Sequence, residues 1–155
     1  MKYLGLTLDS RWTFQDHFRL LLPKAWDMAM ALARLTTNIG GPGERRRCLY
    51  ATVVMSVALY GAPIWAQTVA DNRGILRDAR RLQRQLALRI IHEYRTISHE
   101  AAAVLSEMVP FDIIANRLRM SYLRRRDIIA RNGVIAPRVS LMLIEMERRR
   151  CLEVE

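Results

Sequence analysis

The carboxylates of this chain are dispersed. Asp9, Asp16, Asp27, Asp71, Asp78, Asp112 and Asp127 each stand alone, and no Asp-Asp pair occurs in the sequence. Two-metal phosphoryl-transfer chemistry needs acidic side chains that hold ions about 4 Å apart, and this spacing does not supply them. Cys48 and Cys151 are the only cysteines, too few for a zinc site with paired ligands or for a disulfide framework. Cys48 falls in an apolar run and reads as an inert core thiol. His17, His92 and His99 are not spaced as metal ligands, and Gly40-Gly41-Pro42-Gly43 follows a helical pattern where a phosphate loop would follow a strand. No cofactor is expected.

The residues left to act are the arginines. All but Lys2 and Lys24 of the 25 basic residues are Arg, and the net charge is +10. The guanidinium is a planar fork of donors that fits phosphate oxygens and stacks on bases, so an anionic polymer is the expected partner. GC-rich coding also enriches Arg, but it does not create an excess of positive over negative charge.

Most of these arginines fall on helices. The third predicted helix, about Asp71 to Tyr94, places Ile75, Ala79, Leu82, Leu86 and Ile90 on one face. Arg73, Arg77, Arg80, Arg81 and Arg84 lie opposite, with only Asp78 among them, as a basic ridge or a solvated face. A second cluster, Arg45, Arg46 and Arg47, opens a helix of about Glu44 to Leu59, against the preference of helix N-termini for negative charge. It is solvated or faces a phosphate backbone. Beyond its first turn that helix is apolar nearly all round, which predicts a central position in a bundle.

Six further elements complete the reading. Tyr3, Gly5 and Thr7 alternate with Leu4, Leu6 and Leu8 as in a half-buried strand, with no evident strand partner downstream, so the strand is expected to need a partner outside this chain. Phe14, Phe18, Leu21, Ala25, Met28, Leu32 and Leu35 mark a helix over about Thr13 to Asn38, kinked or split at Pro23. Tyr60 to Ala66 reads as an irregular linker with Trp65 and Tyr60 plugging the bundle's end. Ser98 caps a helix over His99 to Met108. A helix over Asp112 to Asn132 should bury Ile114, Leu118, Tyr122 and Ile129, and a last amphipathic helix follows Val134.

Several strings, in order, resemble the reverse transcriptases of non-LTR (LINE-type) retrotransposons, especially arthropod types. They are "KYLG" with Leu8-Asp9, Thr13-Phe14 with His17, "NIGGP" at Asn38 to Pro42, "RRRCLYATVVMSVALYGAPIWA" at Arg45 to Ala66, "LQRQLALRII" at Leu82 to Ile91, and "YRTISHEAAAVLSEMVP" at Tyr94 to Pro110. The resemblance covers roughly residues 1 to 125. It implies a mainly α fold, a thumb-like helical bundle with a short N-terminal β segment left from the palm. Residues 1–12 would be the primer-grip segment, 13–95 the thumb-like bundle and 96–155 the post-thumb helices. Tyr3, Leu4 and Gly5 match the primer grip, and the thumb helices supply Lys24, Arg45, Arg46 and Arg47. The ridge from Arg73 to Arg84, and Arg95, follow from helical geometry alone. His17 is expected to pack or hydrogen-bond where the sheet meets the first helix. The family's catalytic aspartates lie before "YLG", so this chain should not polymerise by itself. The implied partners are an RNA template with its DNA primer, and the palm and fingers of the polymerase.

The alternative is a helical protein-interaction module, with the last two helices offering apolar faces. A membrane span within the uncharged stretch from Cys48 to Ala70 is disfavoured, because Gly61 and Pro63 leave a helix of only about 16 residues. No signal-peptide pattern opens the sequence, which leads to an expectation of nucleus or cytoplasm.

Overall fold

A computed structural model describes residues 1–35, 41–91 and 96–152. The described chain is mainly helical, behind a two-stranded antiparallel hairpin. Strands β1 (Lys2–Tyr3) and β2 (Leu6–Thr7) pair Lys2 with Thr7 and Tyr3 with Leu6. The expected lone strand is therefore folded back on itself. Leu4 and Gly5 take φ of 44° and 82°, the positive values at both central positions that a tight two-residue hairpin turn requires. The alternation breaks there: Leu4 is exposed in the turn, while Leu6 is buried.

The hairpin leads into a loop organised by Asp9. Its carboxylate accepts hydrogen bonds from the amides of Arg11 and Thr13 (both 2.9 Å) and Phe14 (2.8 Å), and from the Thr13 hydroxyl (2.9 Å). These bonds, the Thr13 amide foremost, hold the Asp9 carboxyl below the usual carboxylate range against the opposing effect of burial. Helix α1 (Gln15–Leu35) follows and is not split at Pro23. Arg19 and Pro23 are both exposed, so the carbonyl that lacks a donor because of the proline lies on the watered side of the helix. Phe18, Ala25 and Ala29 face inward.

Helix α2 (Glu44–Ala58) packs on α1 and α4. It is not the fully enclosed central helix that its composition suggests. Leu49, Thr52, Val53 and Ser56 are exposed along one side, while Ala51, Val54, Met55 and Ala58 are buried on the other. The expected Tyr60 to Ala66 linker is instead a short turn and a helix, α3 (Ala62–Ala70), bent 83° from α2. Pro63 sits in the first turn of α3, where no backbone donor is needed. No single described helix is long and apolar enough to cross a membrane.

Trp65 is the centre of the core and is fully buried. Its ring meets Phe18 edge-on at 4.9 Å and stacks with Phe111 at 5.8 Å, and its Nε1 donates to the Tyr60 carbonyl at 2.9 Å. Tyr60 does not plug the bundle. It is exposed, and its hydroxyl donates to the Leu4 carbonyl at 2.8 Å, fixing the hairpin turn.

Helix α4 (Arg73–Ile91) runs against α1, α2, α3, α5 and α6. Helix α5 (His99–Leu105) has the expected Ser98 cap, whose Oγ accepts from the Ala101 amide at 3.1 Å. It stops short of Met108 because Glu107 turns the backbone at φ 53°. Helix α6 (Phe111–Asn132) ends at Gly133, φ 74°, and packs mainly on α3. Its buried residues are Phe111 and Ala115. Ile114 and Leu118 are half-buried, whereas Tyr122 and Ile129, expected inside, are exposed. The distal part of α6 outruns the bundle, and α7 (Pro137–Leu152) packs on α6 and on no other described element.

Candidate nucleic-acid interface

The basic ridge is positioned by the cap of α4. Asn72 Oδ1 accepts from the amides of Gly74 (3.1 Å) and Ile75 (3.2 Å), which satisfies the first donors of the helix, and the apolar stripe sets its rotation. Ile75, Ala79, Leu82, Leu86 and Ile90 are then buried. Helical geometry leaves the arginines on the opposite side. Arg73, Arg77, Arg80, Arg81 and Arg84 line one groove of about 340 Å³, together with Leu76 and His99. All five arginines expected on this face are thus brought together, and His99 at the start of α5 is an addition that sequence spacing did not reveal.

Acidic neighbours only partly offset this charge. Asp78 lies 3.4 Å from both Arg77 and Arg81, and Asp112 lies 3.1 Å from Arg80. The Asp78 pairs are solvent-exposed and contribute about 0–1 kcal/mol each, so an incoming phosphate can replace them at small cost. Arg84 is more committed, with Nη2 donating to the Ile97 carbonyl at 2.6 Å.

The remaining expected residues fall elsewhere. Lys24, Arg45 and Arg46 are exposed, but none of them lines the α4 groove. Arg95 lies outside the described residues, as does the ring of His92. Arg47 separates from its two neighbours and turns inward to 2% exposure. Its Nε donates to the Pro42 carbonyl at 2.8 Å and its Nη1 to the Arg89 carbonyl at 2.9 Å. Burial, and secondarily the Arg89 charge, lower its pKa. The side chain clasps the start of α2 to the last turns of α4, and it is not presented to an external ligand. Tyr3 and Leu4 are exposed at the hairpin, and Gly5 forms its turn.

His17 stands where the hairpin meets α1, as expected, with Nδ1 accepting from the Thr7 amide at 3.4 Å. Burial holds its imidazole below the usual histidine range. Cys48 is half-buried, and burial followed by the nearby Glu44 carboxylate pushes its thiol up, away from nucleophilic character. Among the described residues, no group of three or more His, Cys, Asp or Glu side chains could hold a metal ion.

One polar residue that the sequence reading passed over ties α4 to the start of α6, on the side away from the groove. Gln83 is buried on the inner side of α4; its Nε2 donates to the Val109 carbonyl at 2.5 Å and its Oε1 accepts from the Phe111 amide at 2.9 Å. It locks the start of α6 to α4. A lone amide on an otherwise apolar face was the available signal.

Comparison with known proteins finds no matching family model and no matching solved structure. Three curated proteins of insect retrotransposable elements are similar. The chain is 31% identical over 126 residues to a 115 kDa protein of the type-1 element R1DM of Drosophila melanogaster, covering 81% of this chain and 12% of that protein. It is 30% identical over 118 residues to the retrovirus-related Pol polyprotein of element R1 of Bradysia coprophila, covering 76% of this chain and 12% of the relative. A Pol polyprotein of element R1 4 of Nasonia vitripennis is 29% identical over 143 residues, covering 89% of this chain and 35% of the relative. The chain therefore spans a minor part of the length of the curated relatives it matches. By descent it belongs with the R1-type non-LTR retrotransposons, as a homologue of a segment of their Pol polyproteins.

Proposed function

We propose that this chain is the thumb-like helical segment of a retrotransposon RNA-directed DNA polymerase and binds the template-primer duplex through the basic face of α4. The reading rests on one observation: Arg73, Arg77, Arg80, Arg81 and Arg84 line a single groove instead of dispersing around the helix. Guanidinium groups in a row satisfy phosphate oxygens whatever the base sequence, so the contact holds a duplex in place without reading it. The exposed Lys24, Arg45 and Arg46 add to the positive field, and Tyr3, Leu4 and Gly5 at the hairpin turn are assigned to the primer end. Polymerisation itself is assigned to carboxylates outside this chain. Residues 1–12, 13–95 and 96–155 then correspond to primer grip, thumb and post-thumb helices. Fluorescence anisotropy with a labelled RNA-DNA primer-template tests the reading. Affinity should fall roughly a hundredfold between about 50 and 200 mM salt, as release of several counterions requires. A folded sample that does not bind at about 50 mM salt would refute it.

A further inference from the structure

We propose that the outer face of α7 is a docking surface for an acidic amphipathic helix of a partner protein. The surface is separate from the α4 groove, and the inference does not depend on nucleic-acid binding. Helix α7 is held from one side only. Ser140 and Leu143 are half-buried, Glu147 is buried, and Glu147 forms an ion pair with Arg124 of α6. Beside this buried side, about a quarter-turn around the helix, Val139, Met142 and Met146 remain 40%, 65% and 45% exposed, while Leu141 and Ile144 are exposed on the opposite flank. Their i, i+3, i+7 spacing makes one continuous apolar stripe, the pattern that receives a second helix. Two of the three are Met, whose unbranched side chains adapt to a partner's surface.

The flanks of the stripe say which helix fits. Helical geometry sets Arg138, Arg149 and Arg150 beside it, all exposed. The nearby Glu145 is paired with Arg149 at 3.5 Å and neutralises only that charge. A second copy of this chain would bring two basic rims together, each on a molecule of net charge +10, which opposes self-association. A helix with apolar residues at alternating three- and four-residue steps, and Asp or Glu on both sides of them, satisfies the stripe and its rim together.

The 155-residue chain can be titrated with a fluorescein-labelled synthetic helix of about 21 residues carrying Leu at the heptad seam and Glu at the flanking positions. A Lys-flanked version and a scrambled acidic version of the same composition serve as comparisons. The acidic helix should bind saturably, and the other two about tenfold more weakly or worse. M142E/M146E should lower affinity for the acidic helix about tenfold with helix content unchanged. R138E/R150E, which leaves the apolar stripe intact, should shift preference to the Lys-flanked helix. Absence of binding, equal binding of the scrambled peptide, or insensitivity to both variants would overturn the proposal. So would a wild-type dimer in sedimentation equilibrium that M142E/M146E dissociates. Binding to phosphatidylglycerol vesicles, lost in that variant, with none to the acidic helix would overturn it in favour of a lipid surface.

Discussion

Gly61 joins the hairpin to the bundle, and replacing it with alanine measures how firmly. The residue precedes α3 with φ 73° and ψ 12°, in the left-handed region. A Cβ built there would stand 2.7 Å from Leu6 Cδ2 and 3.1 Å from Leu6 Cδ1. Two costs combine. Holding an alanine in the left-handed conformation costs about 1–2 kcal/mol. Displacing Leu6, which is buried beneath this turn, adds about 1–2 kcal/mol as an overpacked core contact. Gly61→Ala should therefore lose about 2–4 kcal/mol in urea unfolding, a large share of the roughly 5–15 kcal/mol typical of a folded domain. The two parts separate in a double-mutant cycle. In a Leu6→Ala background the steric part disappears, and Gly61→Ala should cost only the conformational part, about 1–2 kcal/mol. A loss below about 0.5 kcal/mol in the wild-type background would refute the argument that Leu6 closes against this turn, as would identical losses in the two backgrounds.

Three further outcomes follow from the same contacts. Gln83→Ala should destabilise by about 1–3 kcal/mol, because the Val109 carbonyl and Phe111 amide lose their partner in the core; urea unfolding reads the change, and a neutral result would refute the lock. Arg47→Lys should cost about 1–3 kcal/mol, since a single ammonium cannot reproduce the fork that spans the Pro42 and Arg89 carbonyls. The folded variant should keep its nucleic-acid affinity, which anisotropy checks. Asp9 sets a pH dependence: its folded pKa lies below the ordinary value of 3.8, so its stabilisation is present above that value and lost as pH falls through the folded pKa. Stability should therefore drop more steeply for the wild type than for Asp9→Asn below about pH 4 in an acid titration followed by circular dichroism.

Much of the helical layout is legible in the sequence because its punctuation is chemical. Ser98 supplies a cap oxygen, Pro110 and Gly133 interrupt the helical pattern, and the apolar stripe of α4 fixes which side its arginines take. The N-terminal segment is less legible. Alternation assumes extended backbone throughout, whereas Leu4 and Gly5 adopt positive φ and return the strand on itself. Pro63 looks like a terminator from the side of α2 and acts as an initiator for α3. Arg45, Arg46 and Arg47 are alike in sequence, but only Arg47 shares the inward register of Ala51, Val54 and Ala58. Tyr122 and Ile129 show the general limit: a helical period identifies a face, but it does not say whether another element extends far enough to cover it.

In the proposed function the arginines of α4 hold the nucleic-acid backbone. The most direct test is the salt dependence of primer-template binding by the full chain carrying Arg73→Gln, Arg77→Gln and Arg81→Gln together, compared with wild type and with an Arg125→Gln/Arg126→Gln control on the outer side of α6. The slope of log affinity against log salt should shrink by about 1 for each α4 arginine replaced, and remain near the wild-type value in the control. An unchanged slope and affinity in the folded triple variant would contradict the account and move the contact elsewhere on the chain.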